Sequence, residues 1–165
     1  MMKSLNRTKP EILNLLKTQW LWIWFWRLTL IVSLSYAWYC FYVPSNDIVW
    51  AKSYISSQDK AFQSDKPIIL FFTGKWCVPC KIMKRQVWAD EQVRDVVNEE
   101  FIPLIIDVDD PENIDLLIRY DVAGTPITII TDSNGNALRW RLGGIGKSEF
   151  LELLGGSSSI GINTI

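Results

Sequence analysis

A chain of 165 residues has room for one compact domain and a short appendage. Three cysteines and no histidine exclude Ser-His and Cys-His catalysis, and they leave too few ligands for a closed zinc site or a spaced disulfide framework. The formal charge of −1 conceals a basic head, with Lys3, Arg7, Lys9, Lys17 and Arg27 against Glu11 in residues 1–43, and an acidic body with 12 basic and 17 acidic side chains; the body has no broad basic surface, so nucleic acid is not an expected partner.

Residues 1–19 read as a basic cytoplasmic N-terminus. Residues 20–43, WLWIWFWRLTLIVSLSYAWYCFYV, carry one charge, Arg27. As a helix they reach roughly 36 Å, enough for a ~30 Å hydrocarbon core, so a single transmembrane anchor in contact with the lipid bilayer is expected. Arg27 can snorkel, and Trp20, Trp22, Trp24 and Trp26 at one end face Trp38, Tyr39 and Tyr42 at the other as two aromatic belts. A cleaved signal peptide needs small residues after the apolar run, and aromatics stand there instead. Tyr39 is too bulky for a lipoprotein signal at Cys40, which reads as a buried bystander, with pairing between chains the alternative. The basic flank places the N-terminus inside and residues 44–165 outside, where disulfides persist.

Within the expected domain, residues 44–154, helical spacing over residues 48–64 puts Ile48, Ala51, Ile55 and Phe62 inward. The run Ile68-Ile69-Leu70-Phe71-Phe72 reads as a buried central strand. Residues 77–87 form a helix, and Asp90 caps another ending at Glu100. A strand around Pro103-Leu104-Ile105-Ile106 follows. Asp110-Pro111-Glu112 then starts a helix that runs to about Tyr120. Strands at residues 127–131 and 137–142 are joined through Asn134-Gly135, a hairpin signal. A helix over residues 147–154 closes the domain, and residues 155–165 read as a flexible tail. The expected fold class is α/β: a mixed sheet covered on both faces by helices, behind an N-terminal transmembrane helix.

Chemistry concentrates in Cys77-Val78-Pro79-Cys80, placed where a strand's end meets a helix's start. Free N–H groups and the helix dipole there favour a thiolate, the species that attacks disulfides. Cys80, one turn on, is close enough to attack the resulting mixed disulfide. Pro79 removes an N–H that the first turn does not need, and Lys75 and Lys81 add positive potential. Thr125-Pro126, opening a strand, is a candidate cis peptide, with a trans proline the alternative. No metal site and no cofactor beyond the Cys77–Cys80 pair are expected. Asp107 to Glu112 lack the spacing of a calcium loop and read as a strand exit and helix cap. Lys81, Lys84 and Arg85 read as a solvated helix face.

Trp76-Cys77-Val78-Pro79-Cys80-Lys81 after an apolar strand, with Thr125-Pro126 downstream, resembles the thioredoxin superfamily. The run from Lys81 through Val87-Trp88-Ala89-Asp90-Glu91-Gln92-Val93 to Asp107-Val108-Asp109 is similar to the extracytoplasmic C-terminal domain of DsbD-type thiol reductases. The resemblance implies a thioredoxin-like sheet, Cys77 as nucleophile and Cys80 as resolving thiol. It also implies a cis Thr125–Pro126 bond against the disulfide, substrate docking on the Thr125 backbone, and a site shaped by Trp76, Val78 and Pro79. Thioredoxins usually carry a buried acid six residues before the first cysteine, and here Phe71 stands there. Either water or another carboxylate takes over, or Cys80 is activated more slowly.

The function expected is protein-disulfide oxidoreduction in the reductase direction, at a bacterial inner membrane with the domain in the periplasm. Its partners would be client proteins bearing disulfides or dithiols and an upstream thiol electron donor in the membrane. The alternative is a non-enzymatic thiol chaperone or a copper-binding protein, since soft thiolates suit Cu(I).

Overall fold

The computed structural model describes residues 9–42 and 44–155, with side chains described from residue 17 onward. The chain divides into two compact units at the junction of residues 42 and 43. Residues 1–8 of the basic head, and the tail beyond Gly155, lie outside the described residues.

The first unit is one helix, α1 (Lys9–Phe41), which begins well before Trp20. The expectation of a membrane-crossing helix is corrected: among the described residues no helix is long and apolar enough to cross a membrane. At 33 residues α1 has the length and falls short in apolarity. Its five tryptophans and two tyrosines carry polar handles that suit a water boundary better than a hydrocarbon centre. Arg27, Thr29, Ser33 and Ser35 dilute it further. The large apolar side chains from Trp20 to Phe41 are all exposed. Some cover one another along the helix at i, i+4 spacing, with Trp20 edge-on to Trp24 at 5.6 Å and Trp22 stacked on Trp26 at 5.8 Å.

The second unit runs α2 (Tyr54–Ser64), β1 (Ile68–Thr73), α3 (Val78–Met83), α4 (Glu91–Glu100), β2 (Ile102–Asp107), α5 (Ile114–Arg119), β3 (Ile127–Thr131), β4 (Ala137–Leu142) and α6 (Lys147–Gly155). The sheet order is β2-β1-β3-β4. β1 pairs parallel to β2 and antiparallel to β3, and β3 pairs antiparallel to β4 with a bulge at Ile130/Thr131. The two faces carry separate cores. Ile69 and Phe71 of β1 pack with Cys77, Cys80, Met83, Val87, Trp88, Val93, Val97 and Phe150. Ile68, Leu70 and Phe72 pack with Ala61, Leu104, Ile106, Tyr120, Ile127 and Ile129. The alternation of strand side chains explains the split, and burial on both faces explains why β1 reads as an unbroken apolar run.

Three local readings change. Residues 48–52 are not helical: α2 starts only at Tyr54, behind the N-cap Ser53, whose hydroxyl accepts from the Ser56 N–H. Its phase turns Ser57 and Ala61 inward and leaves Ile55 and Phe62 exposed. Ile48 and Ala51 are buried as expected, but from a segment outside any helix or strand. The helix over residues 77–87 is α3 followed by a π-helical turn, Lys84–Trp88. The Asp110 carboxylate caps a 3₁₀ turn, Pro111–Asn113, before α5 begins.

Candidate active site

Pairing registers bring three strand ends to one edge of the sheet. Thr73 pairs with Asp107, and Phe72 pairs with Ile127, so the last residue of β1, the last of β2 and the Pro126 that opens β3 share that end. The Val108 N–H donates to the Thr73 carbonyl at 2.9 Å and fixes the β1 and β2 exits together. From Thr73 the chain turns through Gly74-Lys75-Trp76 into α3.

Cys77 is the N-cap of α3, in extended conformation, and its Sγ accepts from the Cys80 N–H at 3.2 Å. Pro79 sits in the first helical turn, where its missing N–H costs nothing. Cys77 and Cys80 are joined as a disulfide with Cα atoms 5.3 Å apart, and both are buried. Pro79 packs beside Gly144, where an added Cβ would come within 3.6 Å of the Pro79 Cβ. The neighbouring Ile145 belongs to the cysteines' own core.

The rim is apolar and open. Trp76 is 65% exposed and Val78 57% exposed. The Trp76 Nε1–H donates to the Asp109 carboxylate at 3.0 Å, holding the indole across Gly74. The Thr125–Pro126 peptide bond is cis, as the resemblance implied. Pro126 is buried, and its carbonyl accepts from the Gly143 N–H at 2.8 Å.

Of the two cations expected to support the site, Lys75 forms an exposed ion pair with Asp107, N···O 3.7 Å, so its charge is already partnered. Lys81 lies on α3, its N–H donating to the Cys77 carbonyl at 3.2 Å. Two contributors were missed. Asp109 reads in the sequence as part of a strand exit, yet it anchors Trp76. Lys84 reads as solvated, yet it is partly buried, with Nζ 5.9 Å from the Phe71 ring centre. Burial pushes the Lys84 ammonium below its ordinary pKa, Asp107 opposes that shift and Lys81 adds to it. Among the described residues no group of three or more Cys, Asp or Glu side chains is placed to hold a metal ion.

Such a fold, with a disulfide-bonded cysteine pair at a helix start and a cis-proline strand opening at the same end of the sheet, defines a thioredoxin-like protein. Residues 56–156 match the model of the thioredoxin-like domain family, and the chain belongs to that family. Among individual relatives, it is 33% identical over 101 residues to the thiol:disulfide interchange protein DsbD of Ralstonia nicotianae, a match covering 58% of this chain and 16% of that protein. It is 30% identical over 89 residues to DsbD of Neisseria meningitidis, covering 53% of this chain and 15% of that one. The chain thus spans about a sixth of these relatives' length. Among solved structures, the oxidised C-terminal domain of Neisseria meningitidis DsbD superposes with a TM-score of 0.54 at 26% identity, covering 66% of this chain and 98% of that domain. A thioredoxin from Thermus thermophilus reaches 0.60 at 24% identity, covering 66% and 85%, a likeness of fold.

Proposed function

We propose that the chain is a protein thiol–disulfide oxidoreductase working mainly as a reductant, as the DsbD likeness supports. The observation that carries the reading is the buried Cys77–Cys80 disulfide with Cys77 at the N-cap of α3, beside the strand opening at Pro126. In the reduced protein, the Cys77 thiolate attacks one sulfur of a client disulfide. A Cys77–client bond forms, the client S–S bond breaks, and the client's other sulfur leaves with the electron pair and takes up a proton. The Cys80 thiolate then attacks the Cys77 sulfur; the Cys77–Cys80 bond forms and the client's second sulfur leaves as thiolate. The client gains two electrons and the protein is oxidised. No cofactor beyond the cysteine pair is needed, and a dithiol donor restores the reduced form.

Trp76, Val78 and Pro79 supply the apolar rim a client chain would meet, and the Thr125 backbone the docking edge. The compartment proposed is the periplasm, where such chemistry has disulfide substrates. A membrane attachment through α1 is part of the proposal, because its exposed apolar surface needs a cover.

Turnover of a disulfide-linked protein substrate by the full chain tests the activity. Cys77→Ser abolishes it, and Cys80→Ser accumulates a client-linked mixed disulfide. Equal activity in Cys77→Ser would sink the mechanism. Equilibration with glutathione and dithiothreitol buffers tests direction. A potential near ~−270 mV supports a reductant, and one near ~−120 mV makes the chain a disulfide donor. Tight copper binding without turnover would favour the metal-handling alternative.

A further inference from the structure

Cys80 must ionise to close the cycle, yet it is fully buried, and burial disfavours a thiolate. The core around it is apolar: Ile69, Phe71, Met83, Val87, Trp88 and Phe150 share it, and none of the described buried residues there is ionisable apart from the cysteines. Phe71, which leads from β1 toward the cysteines, cannot take or hold a proton.

A charge reaches the edge of this core at Phe71. Lys84 follows Cys80 by four residues, and its N–H donates to the Cys80 carbonyl, so the two side chains share a helix face. Its ammonium lies over the ring of Phe71, itself in the cysteine core. The π-helical turn begins at Lys84; such turns widen a helix and re-aim the side chains that follow.

We propose that Lys84 is a positioning residue for the resolving step, its ammonium stabilising the Cys80 thiolate in place of an acid acting on the thiol's proton. This rests on the exchange reading above. Cys80 loses its proton to solvent, and the thiolate held beside Lys84 attacks Cys77, releasing the client as its thiolate. The other charges around Lys84 are Lys81 and Arg85 on its own helix, Asp107 at the end of β2, and Lys75, whose exposed ammonium pairs with Asp107. Lys81 reinforces Lys84, and Asp107 opposes it.

The test reads Cys80 ionisation directly, in the full chain carrying Cys77→Ala. The pH midpoint of Cys80 alkylation by iodoacetamide is followed on the Cys80 peptide by mass spectrometry, which separates it from Cys40. Lys84→Met, similar in size and uncharged, should raise the midpoint by about one unit, a tenfold loss of thiolate at neutral pH. Lys84→Arg should restore it, and Asp107→Asn should lower it. In the chain with both cysteines, Lys84→Met should slow client release about tenfold and leave the first attack unchanged. Unfolding midpoints of the oxidised variants show whether packing is intact. Midpoints that coincide for Lys84→Met, Lys84→Arg and the parent would overturn the assignment, as would a fall in Lys84→Met. A Lys84-dependent midpoint in a chain that exchanges no disulfides would support the electrostatic placement and overturn the functional reading instead.

Discussion

Gly74 sits where the exposed rim turns. A Cβ there would lie 3.0 Å from the Trp76 Nε1, 3.1 Å from its Cε2 and 3.4 Å from an Asp109 carboxylate oxygen, tighter than ordinary carbon contacts. The indole is the free partner, so Gly74→Ala should push it away and break its hydrogen bond to Asp109, a loss of about 1 kcal/mol. The expected outcome is a shifted Trp76 indole N–H resonance, with slower reduction of protein disulfides and little change toward a small disulfide. Asp109→Ala should reproduce both effects without a new Cβ. An unmoved resonance in both variants would show that the rim does not depend on this contact. Trp76 and the cysteines were legible in the sequence because their chemistry is local: a dithiol at a strand–helix junction and its bulky neighbour. Asp109 was not, since its partner lies 33 residues away and the two meet only through the parallel register that sets Thr73 opposite Asp107. Lys84 was hidden for a related reason. On a helix face, spacing alone does not distinguish a lysine over solvent from one folded over a core aromatic.

At the scale of elements, Asp90 joins three segments. It follows the π turn, caps α4 by accepting from the Gln92 N–H at 3.0 Å and the Val93 N–H at 3.3 Å, and pairs with Lys147 of α6 at 2.9 Å. Asp90→Ala should cost about 1–2 kcal/mol by loss of the cap alone, read by urea unfolding at neutral pH. The Lys147 hydrogen bond, followed by those from Val93 and Gln92, holds the Asp90 carboxyl below its ordinary pKa. The unfolded chain therefore binds this proton more readily than the folded one. Asp90's contribution is present in full above the unfolded value of about 4 and is lost as pH falls through the lowered folded value. Between pH 5 and pH 2 the parent should lose more stability than Asp90→Ala, and parallel profiles would remove Asp90 from the acid response.

Two kinds of element were legible: strands read from apolar runs, such as β1 and β3, and elements with a chemical start signal, namely Asp90 before α4, Asp110-Pro111 before the 3₁₀ turn, and Asn134-Gly135 in the β3–β4 link, where Gly135 takes φ +83°. Residues 48–52 misled because their apolar spacing suits a second geometry. Ile48 joins the cysteine core, while Ala51 joins the opposite core. An irregular strap passing over a sheet edge also puts i and i+3 inside, one in each core. The Ala51 N–H donates to the Pro103 carbonyl at 2.8 Å, and Asn98 bonds the backbone of Asp47 and Val49. The strap therefore occupies part of β2's open edge, which would otherwise offer free backbone groups to another chain. Asn98→Ala should cost about 1 kcal/mol and speed hydrogen exchange at the Val49 amide, with the exchange change absent if the strap is held by packing alone.

At the scale of the molecule, the two units pose opposite problems of solvation. Residues 44–155 bury an apolar core on each face of the sheet and leave only scattered large apolar side chains exposed, whereas along α1 from Trp20 onward they are all exposed: Trp38 is 75% and Phe41 72% exposed. An apolar surface of that extent on all sides of a helix is covered by lipid or by protein in use. Its make-up favours lipid, because indole and phenol rings gain at a headgroup boundary by burying a ring while keeping a polar tip wet, and Arg27 can reach phosphate. The full chain should therefore float with phosphatidylcholine vesicles, while a chain starting at residue 44 stays in solution with its unfolding midpoint and cysteine potential unchanged. Salt separates the two forces that can hold it. Attraction between the basic head and anionic lipid is screened at 1 M salt, where the Debye length is about 3 Å, but burial of aromatic surface is not. Retention on neutral vesicles at high salt would assign the attachment to the aromatic rings. Flotation with anionic vesicles alone, released by salt, would assign it to the basic residues, and failure to float together with self-association would mean that α1 is covered by a second protein chain.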